Sequence, residues 1–280
     1  MDVSVIIVNY NVKKYIISCI ESIYSYSNAE INFEIIIIDN NSRDGSAEFI
    51  KSKYPKIKLI ENKSNRGFSI ACNQGFRVSR GEYIFFLNPD TKFIENSLQL
   101  LLKEVKQVEN AAIIGPSLVS QNKKINKSYW RNPNLMTTML SIFHLDFLNF
   151  KKNYFFNKKS VTFSVDTVSG GAMLIKKSIF KELGGFDENF FWMEDIDLCV
   201  RAVKKGYTNF HSLCTSIIHY TGKSSMKNYK IAISNQLISK IKFFKKHHGR
   251  ASSNILIFAI VLIVIIKVIV NFALFPLSKT

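Results

Sequence analysis

The sequence predicts an α/β protein: a sheet built on buried parallel strands, helices on its faces, and an apolar helix near the C-terminal end. Three observations carry this. In the first half, short β-branched and aromatic runs alternate with stretches whose apolar residues recur at helical spacing. Three of those runs end directly in polar clusters, Asn9-Tyr10-Asn11, Asp39-Asn40-Asn41 and Asn88-Pro89-Asp90. Finally, 280 residues that are 47% apolar suffice for one large domain and an appendage.

Val3 to Val8 is an apolar run of the kind that parallel strands buried on both faces require. Val12 to Tyr26 follows as a helix, with Tyr15, Ile16, Cys19, Ile20 and Ile23 on one face. Phe33 to Ile38 is a second buried strand. It runs into Asp39-Asn40-Asn41-Ser42-Arg43-Asp44-Gly45-Ser46, a turn-rich loop that also caps the next helix. Ile57 to Ile60 is a shorter third strand, and Asn65-Arg66-Gly67-Phe68 turns into a helix through Phe76. Tyr83 to Leu87 is a fourth strand, Asn96 to Val108 a helix, and Ala111 to Leu118 a further strand. Residues 120–160 are polar, basic and aromatic, with no period that assigns them. Val161 to Ile175 reads as a strand broken by Ser169-Gly170-Gly171, and Lys177 to Leu183 as a short helix stopped by Gly184-Gly185. Ile196 to Lys205 is expected to be helical, with Ile196, Cys199, Val200 and Val203 on one face and Gly206 ending it. Tyr229 to His248 reads as a lysine-rich amphipathic helix leading into the tail.

Charge is unevenly spread. The net +17 gathers in Lys123 to Lys159, where Asp146 is the only acid, and in Lys223 to Arg250, which has none. Such blocks suit a polyanionic partner, against the plainer reading of a solvated surface. No helix-turn-helix, zinc or RNA-binding signature accompanies them, so an anionic membrane surface is expected rather than nucleic acid. Cys19, Cys72, Cys199 and Cys214 form no C-x-x-C pair and each lies in an apolar pattern, as buried thiols in a reducing compartment do. Met1-Asp2-Val3 lacks the basic start of a secretory signal. Residues 255–277 are long and apolar enough for a bilayer, although Lys267 and Asn271 interrupt them. The flank Lys240, Lys242, Lys245, Lys246, His247, His248 and Arg250 places the preceding chain on the cytoplasmic side of a spanning or obliquely inserted tail. The competing assignment is a buried helix of a soluble oligomer.

Trp192-Met193-Glu194-Asp195-Ile196-Asp197 crowds three carboxylates after Phe190 and Phe191. Carboxylates beside apolar rings repel one another and lose solvent, which raises and separates their pKa values and yields a general base. The plainer account is that Asp195 caps the helix and Asp197 complements its dipole. Ligands of open α/β sheets bind beyond the carboxyl ends of the strands, where the three polar clusters fall. There Tyr10 can stack on a base, Asp39 can accept from a base N–H, and Asp90 can hold a divalent metal bridging a diphosphate. Each is also a good turn residue taken singly. His219, followed by Gly222-Lys223-Ser224-Ser225, is either a structural histidine or one that approaches a metal or phosphate. The first strand-to-helix turn holds no G-x-G-x-x-G, and no G-x-x-x-x-G-K-[ST] occurs, which excludes a dinucleotide dehydrogenase and a P-loop enzyme.

In this order, Val3-Ser4-Val5-Ile6-Ile7-Val8-Asn9-Tyr10-Asn11, the 39–46 loop, Asn65-Arg66-Gly67-Phe68 with Asn73 and Gly75, Phe86-Leu87-Asn88-Pro89-Asp90, Gly170-Gly171-Ala172, Gly184-Gly185-Phe186-Asp187 and Glu194-Asp195-Ile196-Asp197-Leu198 form a specific set. Over about residues 3–225 the chain resembles the inverting family 2 glycosyltransferases of GT-A fold, and most of all their rhamnosyltransferase-like members. The resemblance implies a Rossmann-like mixed sheet flanked by helices. It implies a domain over 1–225 (donor half about 1–118, acceptor half about 119–225); beyond it, charge and hydropathy mark a basic amphipathic helix over 226–250 and a hydrophobic anchor over 251–280. It implies that Val8, Tyr10, Asp39, Asn41, Arg66, Asn88 and Asp90 face the nucleotide-sugar donor, and that Gly170, Gly171, Trp192 and Glu194 lie on the acceptor side. Asp195 matches the catalytic base. Asp90 and His219 match a site for Mg2+ or Mn2+, and Asn88 stands where the family's D-x-D motif has its first carboxylate, a weaker ligand.

The implied activity is inverting transfer, from dTDP-rhamnose, to a hydroxyl of a lipid-linked or polysaccharide acceptor at the cytoplasmic face of a bacterial membrane. A UDP-hexose or UDP-N-acetylhexosamine donor is the alternative. A polybasic nucleic-acid-binding protein and an inactive scaffold of transferase fold are more remote. The decisive expectation is that Asp195 folds back to face the strand end at Asp90.

Overall fold

The computed structural model of the chain describes residues 1–27, 30–143, 145, 161–220 and 229–274. Its centre is β1 (Val3–Asn9), buried at all seven positions. β1 pairs in parallel with β2 (Phe33–Asp39) and with β4 (Tyr83–Leu87), and β2 pairs in parallel with β3 (Lys58–Glu61). Helices α1 (Lys13–Tyr26), α2 (Ser46–Lys53) and α3 (Phe68–Val78) connect these strands. Because both faces are covered, the strands read as unbroken apolar runs. The approach of α3 is close at Gly75, where a Cβ would lie 2.7 Å from Ile6 Cγ2 and 2.8 Å from Ile38 Cδ1.

Beyond β4 the sheet becomes mixed. After β5 (Thr91–Phe93) and α4 (Ser97–Gln107) comes β6 (Ala111–Val119), and the small strands β7 (Ile125–Asn126) and β8 (Tyr129–Trp130) lead to α5 (Leu135–Ile142). β9 (Thr162–Val165), β10 (Thr167–Val168) and β11 (Ala172–Lys176) follow, then α6 (Lys177–Glu182), α7 (Glu194–Lys204), β12 (Thr208–His219) and α8 (Tyr229–Leu274). The ten-stranded sheet runs β3-β2-β1-β4-β11-β6-β12-β5, with β7 on β6 and β9 on β12. β11 is antiparallel to β4 and β6, whereas β12 is parallel to β6 and antiparallel to β5.

Several expectations change. The stretch from Val161 to Ile175 is three strands, because the chain breaks after Val165 as well as at the glycines. α7 begins at Glu194, not Ile196, so Asp195 lies inside the first turn and is not its N-cap. That place belongs to Met193, in the left-handed region at φ 71°. The buried face of α7 is Asp197, Leu198, Cys199, Val200 and Ala202, while Val203 is 50% exposed. β12, twelve residues long, went unassigned because serine, threonine and histidine are interleaved with its apolar residues. Cys19, Cys72 and Cys199 are buried, and Cys214 is partly exposed. The Gly222-Lys223-Ser224-Ser225 turn and residues 146–160 of the basic stretch lie outside the described residues.

The chain divides into two compact units. Residues 1–132 with 156–233 hold the sheet, and residues 133–155 with 234–280 hold α5 and most of α8. In the second unit α8 is broken at Gly249 (φ 86°, ψ 170°). Ser253 Oγ donates to the carbonyl of Ile241 at 3.3 Å, so the apolar arm folds back beside the basic arm at this elbow. The stretch Ile233–Asn271 is long and apolar enough to cross a membrane, and its most apolar segment is only 17% buried.

Candidate active site

The carboxyl ends of β1 and β2 are clasped together by side chains. Asn9 Nδ2 donates to Asp39 Oδ1 at 2.6 Å, to Ser42 Oγ at 3.1 Å and to Ser46 Oγ at 2.7 Å. Asp39 Oδ2 accepts from the Ser42 N–H at 2.8 Å, and the Asn11 N–H donates to Ser42 Oγ at 3.0 Å. Two left-handed asparagines, Asn11 (φ 54°) and Asn41 (φ 65°), make the reversals. Val8 and Asp39 are buried in this clasp, Tyr10 is half-buried and Asn41 is exposed. Arg66 is exposed on the neighbouring loop. That loop is fixed by Asn65 Oδ1, which accepts from the Gly67 N–H at 2.9 Å, and by Asn40 Nδ2, which donates to the Gly67 carbonyl at 3.2 Å.

At the end of β4 three more predicted residues meet. His219, the last residue of β12, pairs with Thr91 across β5, which brings its ring over the 88–90 turn. Its Nε2 lies 3.2 Å from Asp90 Oδ1 and 3.4 Å from Asn88 Nδ2. Among the described residues no three His, Cys, Asp or Glu side chains converge on one point. A carboxylate, an imidazole and an amide are nonetheless suitable protein donors for Mg2+ or Mn2+, which take the rest of their shell from phosphate oxygens and water.

The base candidate lies beside this pair. Asp195 Oδ2 accepts from the Gly170 N–H at 2.7 Å, and its Oδ1 from its neighbour Ile196 N–H at 2.8 Å. A Cβ on Gly170 would stand 3.2 Å from Asp195 Cβ, and one on Gly171 would stand 3.2 Å from His219 Cε1. The Asn88 N–H donates to the Gly171 carbonyl at 3.0 Å. The Gly170-Gly171 dipeptide therefore lies between Asp195 on one side and Asn88 and His219 on the other. Burial raises the Asp195 pKa, with its two N–H donors opposing the shift. Glu194 is raised well above the usual carboxylate range, by burial first and by the Asp195 charge second. Its Oε2 is buried without a hydrogen-bond partner among the described residues.

All the predicted residues fall on the sheet-bearing unit. Asn88, Asp90, Gly170, Gly171, Asp195 and His219 are brought into one contiguous group; Val8, Tyr10, Asp39, Asn41 and Arg66 line the adjoining strand ends. Trp192 is half-buried ahead of α7. The Oε2 of Glu194 is buried. Sequence reasoning named Asn9 only as part of a strand-end cluster and gave it no role, whereas it is the donor hub of the clasp. That reasoning also missed the ion pair of buried Asp197 with Arg201 at 2.8 Å, which their i,i+4 spacing foreshadowed.

The sequence pattern described as "Glycosyl transferase family 2" matches residues 4–184, spanning all three strand-end clusters and the Gly170-Gly171 turn. The chain belongs to that family. A second pattern, "N-terminal domain of galactosyltransferase", matches residues 152–229. This family 2 glycosyltransferase is 25% identical over 213 residues to the N-acetylglucosaminyl-diphospho-decaprenol L-rhamnosyltransferase of Mycobacterium tuberculosis, covering 68% of this chain and 67% of that one. Among solved structures it is similar to GalNAc-T7 with UDP, GalNAc and Mn2+ (TM-score 0.63, 17% identity, 81% of this chain and 44% of that one). It is also similar to the mannosyltransferase PcManGT of Pyrobaculum calidifontis with GDP-Man and Mn2+ (TM-score 0.61, 17% identity, 89% and 64%). The fold of this glycosyltransferase is thus GT-A, with a long apolar helix at the C-terminal side as a candidate for membrane association.

Proposed function

We propose that the chain transfers a sugar with inversion from a nucleotide-sugar donor, dTDP-rhamnose, to a hydroxyl of a lipid-linked or polysaccharide acceptor. Asp195 is the general base. The observation that carries this reading is the half-buried Asp195 carboxylate hydrogen-bonded to Gly170, one residue from the glycine that adjoins Asn88 and His219. A raised pKa suits a base that must take a proton from a sugar hydroxyl, and the Gly170 N–H keeps the carboxylate aimed. Asp195 removes the acceptor proton as the oxygen attacks the anomeric carbon on the face opposite the diphosphate, so one displacement inverts the centre and no glycosyl-enzyme forms.

The clasp of Asn9, Asp39 and Ser42 holds the strand ends where Tyr10 and Asp39 receive the base, and Arg66 approaches the phosphates from the next loop. Asp90 and His219, with Asn88, would hold a divalent cation, which supplies charge to offset the departing nucleoside diphosphate. The rhamnosyl transfer to a diphospho-lipid named for the mycobacterial relative supports the donor and acceptor classes. The basic arm and apolar arm of α8 suit a protein working at the anionic cytoplasmic leaflet.

A panel of nucleotide sugars, read by nucleoside diphosphate release with and without Mg2+ or Mn2+, tests the donor. Turnover of dTDP-rhamnose is expected, and turnover of a UDP-hexose or UDP-N-acetylhexosamine in its place overturns that donor. Asp195→Asn is expected to keep dTDP binding and lose at least about a hundredfold in kcat. Near-normal turnover would refute the base. Asp90→Ala is expected to weaken metal-supported dTDP binding, and an unchanged calorimetric titration would count against the metal site.

A further inference from the structure

The turn between α6 and α7 is held from two sides by side chains that the proposed chemistry does not use. From α3, the Asn73 side-chain amide pairs with the backbone of Phe186 in both directions: Nδ2 donates to the carbonyl at 2.9 Å, and Oδ1 accepts the N–H at 3.0 Å. Nδ2 also donates to Glu188 Oε1 at 3.0 Å, and one turn earlier Ser69 Oγ donates to the Phe190 carbonyl at 3.0 Å. Gly185 takes φ 75° against this amide, and a Cβ there would lie 2.8 Å from Asn73 Oδ1. From α7, the Arg201 guanidinium donates to the carbonyls of Leu183 and Gly185, while its Nε is fixed at 2.8 Å by buried Asp197.

These two helices carry opposite halves of the site at their N-terminal ends. The loop bearing Arg66 runs directly into α3, and Asp195 is the second residue of α7. The ring of Phe191 closes the link, 3.5 Å from where a Gly67 Cβ would be. The turn has fixed geometry, so its two attachments set the distance from the donor loop to the base.

We propose that Asn73 and Arg201 are positioning residues that act through the 183–190 turn to hold Asp195 in register with the donor site. This rests on Asp195 being the base. An amide matched to the N–H and C=O of one residue and a fork matched to two carbonyls are geometries that aspartate and lysine cannot reproduce. A displacement of about 1 Å in a reacting group costs on the order of a hundredfold in rate, without touching the groups that bind the donor.

The test is a mutant cycle on the full chain with Asn73→Asp, Arg201→Lys and Asp195→Asn. Turnover of dTDP-rhamnose, or of the UDP-sugar if the panel selects it, is expressed per site that binds the matching nucleoside diphosphate by calorimetry, which removes any unfolded fraction. Each positioning variant is expected to lower kcat at least about tenfold, with nucleoside diphosphate affinity within about twofold. In the Asp195→Asn background each is expected to add less than about twofold, since a residue acting through Asp195 has nothing left to position. If Arg201→Lys does not fold, Asn73→Asp carries the cycle alone. Full additivity on Asp195→Asn, or a loss confined to affinity, overturns the positioning role alone. Wild-type turnover in Asp195→Asn removes the base and this inference with it.

Discussion

Glu194 and Asp195 are consecutive carboxylates with unequal hydrogen-bond partners. Two N–H groups stabilise the Asp195 anion, whereas Glu194 Oε2 is buried with no hydrogen-bond partner among the described residues. Both pKa values are raised, so above the ordinary carboxylate range the native state holds more protons than the unfolded chain. The slope of stability with pH is then negative there, and stability falls as pH rises. Glu194→Gln is expected to melt at least about 2 °C higher than wild type at pH 8 and to shrink that difference toward pH 5. A lower melting temperature at pH 8 would show that the glutamate charge is satisfied. His211 has the opposite sign. It is buried between the rings of Tyr129 and Phe163, and burial lowers its pKa from 6.5 to about 4. In that interval the unfolded chain binds the extra proton, so stability drops as pH falls from 6.5 to 4. His211→Phe is expected to flatten the melting profile over this range, and an unchanged profile would exclude His211 as its source. The carboxylate crowding was legible in Glu194-Asp195-Ile196-Asp197. The donor that holds Asp195 was not, because the Gly170 N–H is 25 residues away in the chain.

At the scale of elements, the junction of β10 and β11 matters most. Gly170 and Gly171 let backbone pass between Asp195 and His219, and a Cβ at position 170 would stand 3.3 Å from Asp195 Oδ2. Gly170→Ala is expected to lower kcat about ten- to a hundredfold with dTDP affinity retained. Equal loss of affinity and rate would mean that the turn serves the donor instead. The strands from β1 to β4 were readable because burial on both faces leaves an uninterrupted apolar run. β12 was not, since its 209–216 stretch turns Asn209, His211, Ser212 and Thr215 inward, where their side chains meet the Cys199 carbonyl and the side chains of Ser117, Thr162 and Ser97. The start of α7 was misplaced by two residues because a left-handed Met193 leaves no cap residue in the sequence.

For the whole molecule, the sheet order places β11 between β4 and β6 and β12 beside β6, so that positions near 90, 170, 195 and 219 share one edge. The second unit supplies the other large-scale feature, an apolar arm folded back at Gly249 on a helix rich in lysine. Ending the chain after Ser252 is expected to release it from membranes at high salt while donor-dependent nucleoside diphosphate release persists. Continued pelleting would place the main anchor before the apolar arm. The sequence by itself determined the parallel half of the sheet, the polar clusters at its strand ends, the acidic start of α7 and the apolar tail, since each is written in local periodicity and composition. Only the tertiary structure decided that Asp90 meets His219, that Gly170 aims Asp195 and that Asn73 and Arg201 brace one turn. Those contacts join residues from 16 to 129 positions apart, and strand order, which no local pattern encodes, is what brings the most distant of them together.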